Sequence, residues 1–191
     1  MWRESCLSRI PVPDGDGPEV NRIWMVDPVI GGAALALREA VYSHNHLPVR
    51  VHEAIRYMIA QVNQCPICLA ARSADGEKMG LTEHFYESVM NYRSSDEFDE
   101  RERLAMEYTY LFCNDHLAIT DDLFLALRAN FSDVELVDLC ITVSRHFGFG
   151  RLTQVLKLDL ACVLEAASMS STYWAVPGLE GDDNPVVPQT A

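Results

Sequence analysis

Apolar positions along this chain recur mainly at helical spacing. Val51, Ile55, Met58, Ile59 and Val62 fall at i, i+4, i+7, i+8 and i+11, one stripe of a helix that opens at Pro48. A second stripe, Leu104, Tyr108, Leu111 and Phe112, follows a charged first turn in which Asp99 and Glu102 stand at capping distance. Ser132-Asp133-Val134-Glu135 is a capping-box sequence. Behind it Leu136, Val137, Leu139, Cys140, Ile141 and Val143 are apolar almost all round, the pattern of a helix in the middle of a bundle. Shorter helices are predicted over 33–43, 66–74, 82–91, 121–129 and 151–168. No run alternates with period two between hairpin turns, so the chain reads as all-α. Its short polar connections suit helices packed as sequential neighbours.

The ends break this pattern. Residues 1–30 carry Pro11, Pro13, Pro18 and Pro28 with Gly15 and Gly17, and read as an irregular arm that Trp24 and Met25 could pin to the body or to a neighbouring subunit. Residues 173–191, with Pro177, Pro185, Pro188 and the acidic run Glu180-Gly181-Asp182-Asp183, read as an extended or flexible tail. Residues 31–172 are left as one helical domain, in keeping with a chain of 191 residues and 21.5 kDa.

Charge and targeting narrow the partners. A net charge of −13 argues against nucleic acid and anionic membrane, because an acidic surface repels phosphate. The first ten residues include Arg3, Glu4 and Arg9 and no apolar core of a signal peptide. The longest apolar stretch, Val29 to Leu37, falls well short of the ~20 residues a spanning helix needs. A cytoplasmic location is the expectation.

Six cysteines are present. Cys113, Cys140 and Cys162 sit in apolar surroundings and are expected to pack as small hydrophobes. Cys65 and Cys68 are spaced for chemistry, since side chains at i and i+3 share a face. With Pro66 at the first helical position, Cys65 becomes the N-cap and Cys68 the third helical residue. Both thiols then lie at the positive end of a helix dipole, which favours the thiolate. Three readings of the pair stay open: a metal site, two small residues that merely pack, and redox or nucleophilic chemistry. A structural zinc site would ask for a second Cys-x-x-Cys or a close histidine pair, and neither accompanies it.

The stretch Glu53-Ala54-Ile55-Arg56-Tyr57 through Asn63-Gln64-Cys65-Pro66-Ile67-Cys68-Leu69-Ala70-Ala71-Arg72 resembles the AhpD-like (carboxymuconolactone decarboxylase-like) family. Its pattern is a glutamate, eleven residues, Cys-x-x-Cys, three residues and a histidine. Glu53 stands where that glutamate does. The segments Glu100 to Ala105, Leu123 to Leu139 and Gly148 to Leu152 also resemble the family's second half. The resemblance covers about residues 48–160. It implies a helical fold that assembles as trimers or hexamers. One branch uses the cysteine pair to reduce hydroperoxides or exchange disulfides, with a glutamate and a histidine relaying protons. The other contains decarboxylases and isomerase-like enzymes acting on small lactones and acids.

Two positions depart from the redox pattern. Arg72 replaces the histidine after the second cysteine, and Ile67 lies where a histidine often stands between the two. Arginine cannot accept a proton at physiological pH, so the relay does not carry over intact. Arg72 would instead stabilise a Cys68 thiolate or hold a substrate carboxylate with its fork. From periodicity alone Glu53 falls opposite the apolar stripe, on a solvated face; the resemblance makes it a general base or thiol-activating carboxylate. His146 is expected at the end of its helix, before Phe147-Gly148-Phe149-Gly150. It would replace the missing histidine if the fold brings it beside Cys68. His52 points about 100° away from Glu53, and His44, His46, His84 and His116 read as loop or surface residues.

No dinucleotide fingerprint, Gly-x-Ser-x-Gly or His-Glu-x-x-His occurs, so no nucleotide, flavin or metal cofactor is indicated. The leading expectation is a thiol oxidoreductase in which Cys68 attacks and Cys65 closes the disulfide, assisted by Glu53 and Arg72. It would take a small peroxide and a thiol electron donor. The alternative is a lyase or isomerase for a small carboxylated substrate, anchored by Arg72 with Glu53 or His146 as acid/base. A third reading is an oligomeric binding module without chemistry.

Overall fold

A computed structural model describes residues 8–158. All regular structure among them is helical, with no strand, as the apolar spacing predicts. The helices are α1 (Glu19–Arg22), α2 (Pro28–Ser43), α3 (Val49–Val62), α4 (Pro66–Ala70), α5 (Ala74–Lys78), α6 (Glu83–Ser88), α7 (Glu100–Asn114), α8 (Asp121–Asn130) and α9 (Asp133–Leu156). Single 3-10 turns extend or join them at Ile23–Val26, Val89–Asn91 and His116–Ala118. No helix among these residues is long and apolar enough to cross a membrane. The described residues group into two compact units, 8–44 with 152–158, and 45–151.

In the first unit the arm is more regular than its prolines suggest. Asp27 caps α2 by accepting from the backbone N–H groups of Val29 and Ile30, both at 3.1 Å, with Pro28 at the first helical position. That cap starts α2 five residues before the predicted start, through Gly31 and Gly32. Gly31 has a packing reason, because a Cβ there would lie 1.7 Å from the Trp24 carbonyl oxygen. The arm before it is tied by Arg22, which donates to the carbonyls of Gly17 and Pro13, and by an Arg38–Asn21 hydrogen bond of 2.7 Å.

The second unit holds the core. α3 runs through its middle and feeds two apolar clusters. Val51, Ile55 and Ile59 join Leu47, Ala105, Tyr108, Leu127, Phe131, Leu136, Leu139 and Val143. Ala54, Tyr57 and Met58 turn the other way, onto Phe85, Tyr86, Val89, Tyr92, Phe98 and Met106. Each such large side chain, fully buried, contributes about 1.5–3 kcal/mol. Pro48 proves to be the cap residue before α3 rather than its first residue. The capping signals read from sequence are both made. Asp99 and Glu102 exchange backbone bonds of 2.8 and 3.1 Å at the start of α7, and Ser132 and Glu135 do the same before α9.

Three expectations change. The helix predicted over 66–74 ends at Ala70, because Ala71 turns to an extended backbone, and Ser73 caps a separate helix, α5, that starts at Ala74. The break after His146 is absent: α9, 24 residues long, runs on through Gly148 and Gly150 to Leu156. Its apolar surroundings do not place α9 in the middle of a bundle either. Leu136, Leu139 and Val143 face the core, while Val134, Val137 and Ile141 are exposed. The tail from 173 and the end of the helix predicted over 151–168 lie outside the described residues, as do Cys6 and Cys162.

Candidate active site

The cysteine pair is set by two helix ends that meet. α3 ends in a Schellman turn, in which the N–H of Cys65 reaches the Ala60 carbonyl at 3.1 Å and that of Gln64 reaches Gln61 at 3.0 Å. The turn needs a left-handed residue, and Gln64 takes that role with φ of 52°. The next residue, Cys65, then opens α4. Its Sγ accepts the Cys68 N–H at 3.3 Å as an N-cap, and Pro66 occupies the first helical position. Cys65 and Cys68 are joined as a disulfide with Cα atoms 5.3 Å apart. Cys65 is buried and Cys68 half-buried, so Cys68 is the more accessible residue of the pair.

Glu53 is not on a solvated face. It is 1% exposed and held by three bonds: Arg56 donates from Nε and Nη2, each at 3.0 Å, and the Tyr86 hydroxyl donates at 3.0 Å. Burial pushes the carboxyl up, but the Arg56 charge and these bonds outweigh it and hold its pKa below the ordinary value. Burial and the Glu53 carboxylate together push the Tyr86 phenol up, which keeps it a donor. Arg56 also donates to the backbone carbonyls of Cys68 at 2.7 Å and Ala71 at 3.1 Å. The buried carboxylate is thereby linked to the cysteine-bearing turn through one guanidinium.

Arg72 lies beyond α4 rather than one turn along it. Its fork grips the exposed Glu83 carboxylate at 2.8 and 2.7 Å, and its Nη1 donates to the carbonyls of Leu69 and Ala71. The guanidinium stacks 4.1 Å above the Tyr86 ring and 5.4 Å from Tyr57. His146 lies within α9 and is buried, so the helix-end account of it does not hold. Its ring centroid is 5.5 Å from that of His52. Burial, joined by the nearby Arg145, lowers its pKa well below the ordinary value. His52 is lowered to about 4 by burial, against the opposing pull of Glu53. Both imidazoles are therefore neutral at physiological pH. Asn63, two residues before Cys65, ties this part of α9 to the end of α3: it donates to the carbonyls of His146 and Phe147 and accepts from Arg151 at 2.9 Å.

Cys113 and Cys140 are half-buried against the first core cluster, as expected of small hydrophobes. Burial pushes the Cys113 thiol up to about 11, which makes it a poor nucleophile. His44, His46, His84 and His116 are not buried. No group of three or more potential metal ligands occurs among the described residues. The site residues that sequence reasoning passed over are Arg56, Tyr86, Asn63 and Gln64. Only Arg56 had a local signal, its i+3 spacing from Glu53; Tyr86 reaches Glu53 from 33 positions away.

No protein-family model matches the chain. Among curated proteins it is similar to the uncharacterized protein YdfG of Bacillus subtilis (strain 168), 22% identical over 102 residues, which span 53% of this chain and 69% of that one. Among solved structures it is similar to ATU0492 of Agrobacterium tumefaciens, a protein of unknown function provisionally described as the antioxidant defence protein AhpD. The TM-score is 0.61 at 24% identity, over 70% of this chain and 91% of that one. The alkylhydroperoxidase AhpD core of an uncharacterized peroxidase-related protein from Ralstonia eutropha JMP134 aligns with TM-score 0.63 at 21% identity, over 78% and 90%. The debrominase Bmp8, solved as a cysteine-to-alanine variant in complex with 2,3,4-tribromopyrrole, aligns with TM-score 0.65 at 14% identity, over 81% and 82%. The fold of this chain is AhpD-like.

Proposed function

We propose that the protein is a thiol-dependent oxidoreductase that reduces a small hydroperoxide with the Cys65–Cys68 pair. The observation that carries this reading is the pair itself: two joined sulfurs on the first turn of α4, from one buried and one half-buried cysteine. The Cys68 thiolate attacks the outer peroxide oxygen, the O–O bond breaks, and the departing alkoxide takes a proton from solvent to leave as alcohol. Cys68 is then a sulfenic acid. The Cys65 thiol displaces its hydroxyl as water and the disulfide forms, two electrons having passed to the peroxide. A dithiol donor returns the pair to the reduced state by exchange.

Four groups assist. The N-terminus of α4 favours the thiolate. Glu53 acts through Arg56, since its carboxylate is fully engaged there. His146 is proposed to relay the thiol proton in place of the histidine that Arg72 replaces, only in passing, because the burial that keeps it neutral opposes its holding that proton. Arg72 adds positive charge at the far end of the turn. The similarity to an AhpD core and to a debrominase supports an enzyme acting on a small molecule. The uncovered apolar residues Val134, Val137 and Ile141 on α9 support a homo-oligomer, and a trimer or hexamer in the cytoplasm is the assembly and location proposed with it.

The test is peroxide consumption with a dithiol donor, with peptide mapping of the oxidised protein. Cys68→Ser is expected to abolish turnover, and Cys65→Ser to stop it after one sulfenic acid per chain. Turnover that survives both substitutions ends the thiol reading. One observation favours a second reading: Arg72 already holds a carboxylate bidentately, that of the exposed Glu83. A substrate carboxylate exchanging with Glu83 would suit a lyase or isomerase. Activity on carboxylated substrates lost in Arg72→Ala but kept without the thiols would establish it.

A further inference from the structure

α4 is five residues long, far below the ~12–15 at which an isolated helix becomes even marginal in water. In the oxidised protein the disulfide itself closes the turn. Once the bond is reduced, another interaction must keep Cys68 beside Cys65. The N-cap bond from the Cys68 N–H to the Cys65 Sγ is one weak contact of 3.3 Å. The carbonyls at the other end of α4 are held more strongly. Arg56 donates to Cys68 at 2.7 Å and to Ala71 at 3.1 Å, from a guanidinium that is only 3% exposed. Its aim is fixed by Glu53, which takes the Nε and Nη2 protons, and Glu53 is fixed in turn by Tyr86. The chain of contacts runs Tyr86, Glu53, Arg56, Cys68 carbonyl.

We propose that Arg56 is the positioning residue of the cysteine pair: it clamps the Cys68 main chain so that the reduced thiols stay in disulfide-forming register, and Glu53 serves to orient it. The proposal deepens the thiol reading of the site and rests on the pair cycling between dithiol and disulfide. In the forward step the two thiols give two electrons and two protons to glutathione disulfide, which leaves as two glutathione thiols, while the Cys65–Cys68 bond forms. A clamp that keeps the sulfurs close raises the effective concentration of one thiol for the other. Arg56 also brings a buried positive charge one carbonyl away from Cys68. His52, Arg145 and His146 lie around the same guanidinium and its carboxylate, and Arg72 stacks on Tyr86.

The experiment is equilibration of the full-length protein with glutathione at defined ratios, with the Cys65–Cys68 peptide quantified by mass spectrometry. Four proteins are compared: wild type, Glu53→Gln/Arg56→Gln, Arg56→Lys and Leu127→Ala. The double substitution removes both charges together and strands neither. Lysine keeps the charge and loses the fork. Leu127 belongs to the other core cluster, so its substitution lowers stability without touching α4. The expected result is a fall of about tenfold in the equilibrium constant for disulfide formation in the double variant, with a smaller fall in Arg56→Lys and none in Leu127→Ala. A double variant within about twofold of wild type overturns the proposal, as does an equal fall in Leu127→Ala. If the double variant does not fold, Arg56→Lys decides in the same way. A wild-type pair that ignores peroxide while its glutathione equilibrium still depends on Arg56 removes the peroxidase reading and leaves the clamp. Peroxide turnover with an equilibrium blind to Arg56 does the reverse.

Discussion

α3 and α9 invert what their sequences suggest. α3 carries Arg50, His52, Glu53 and Arg56 within seven residues, yet it has core on both sides. α9 is apolar nearly all round in its first three turns, yet Val134, Val137 and Ile141 stand exposed. The difference lies in what the polar groups find. On α3, Glu53 and Arg56 satisfy each other and then Tyr86 and two carbonyls, so the charge that should have kept that face in water is consumed inside. On α9 apolar residues outnumber the core positions available to them. Net hydrophobicity does not select the central helix; the supply of partners does.

The sharpest way to break this comparison is to strand a charge on α3. Glu53→Ala or Arg56→Ala leaves its partner buried alone and is expected to cost about 3–5 kcal/mol, read as the urea midpoint. The double change to glutamine should cost distinctly less, and an equal loss would mean that the pair is not what keeps this face buried. Next in size is apolar truncation. Ile55→Ala is expected to cost about 2–5 kcal/mol, whereas Val137→Ala on α9 should stay within about 0.5 kcal/mol. A large loss at Val137 that depends on protein concentration would show a second subunit covering that seam.

Acidity provides a smaller effect. His52, His146 and Glu53 all have folded pKa values below their unfolded ones, so the unfolded chain binds more protons and stability rises with pH. The contribution of His52 is complete above its ordinary value near 6.5 and is lost as pH falls toward about 4, with Glu53 adding a loss at lower pH. His52→Gln should make the unfolding free energy less steep across that window, with the His146 contribution remaining. The smallest expected effect separates two glycines on α9. A Cβ at Gly148 meets nothing within 4 Å, so Gly148→Ala should stabilise by up to about 1 kcal/mol. At Gly150 it would lie 2.8 Å from the Asn63 amide. Gly150→Ala should therefore give less or destabilise, because Asn63 is held by the His146 and Phe147 carbonyls and by Arg151.

The glycines also show where sequence reading stopped. Gly148 and Gly150 look like a helix end, but the cost of glycine is only about 1 kcal/mol each, and tertiary packing on Asn63 outweighs it. The same holds at Gly31, where a close approach to Trp24 demands the glycine that reads as a break when only its neighbours are considered. In both places the deciding contact lies outside the window in which a local pattern is read.

What the sequence determined by itself is local. Helical class follows from apolar period, the starts of α7 and α9 from capping chemistry within four residues, and the Cys65–Cys68 turn from one proline between two cysteines. The tertiary structure alone decided that Glu53 is buried, that Arg56 joins it to the Cys68 carbonyl, that Tyr86 completes the link, and that His146 sits inside a helix beside His52. Capping and periodicity act over a few bonds and leave their mark in adjacent residues. Burial and electrostatic pairing depend on which surfaces meet, and only the assembled fold brings residues 53, 68 and 86 together.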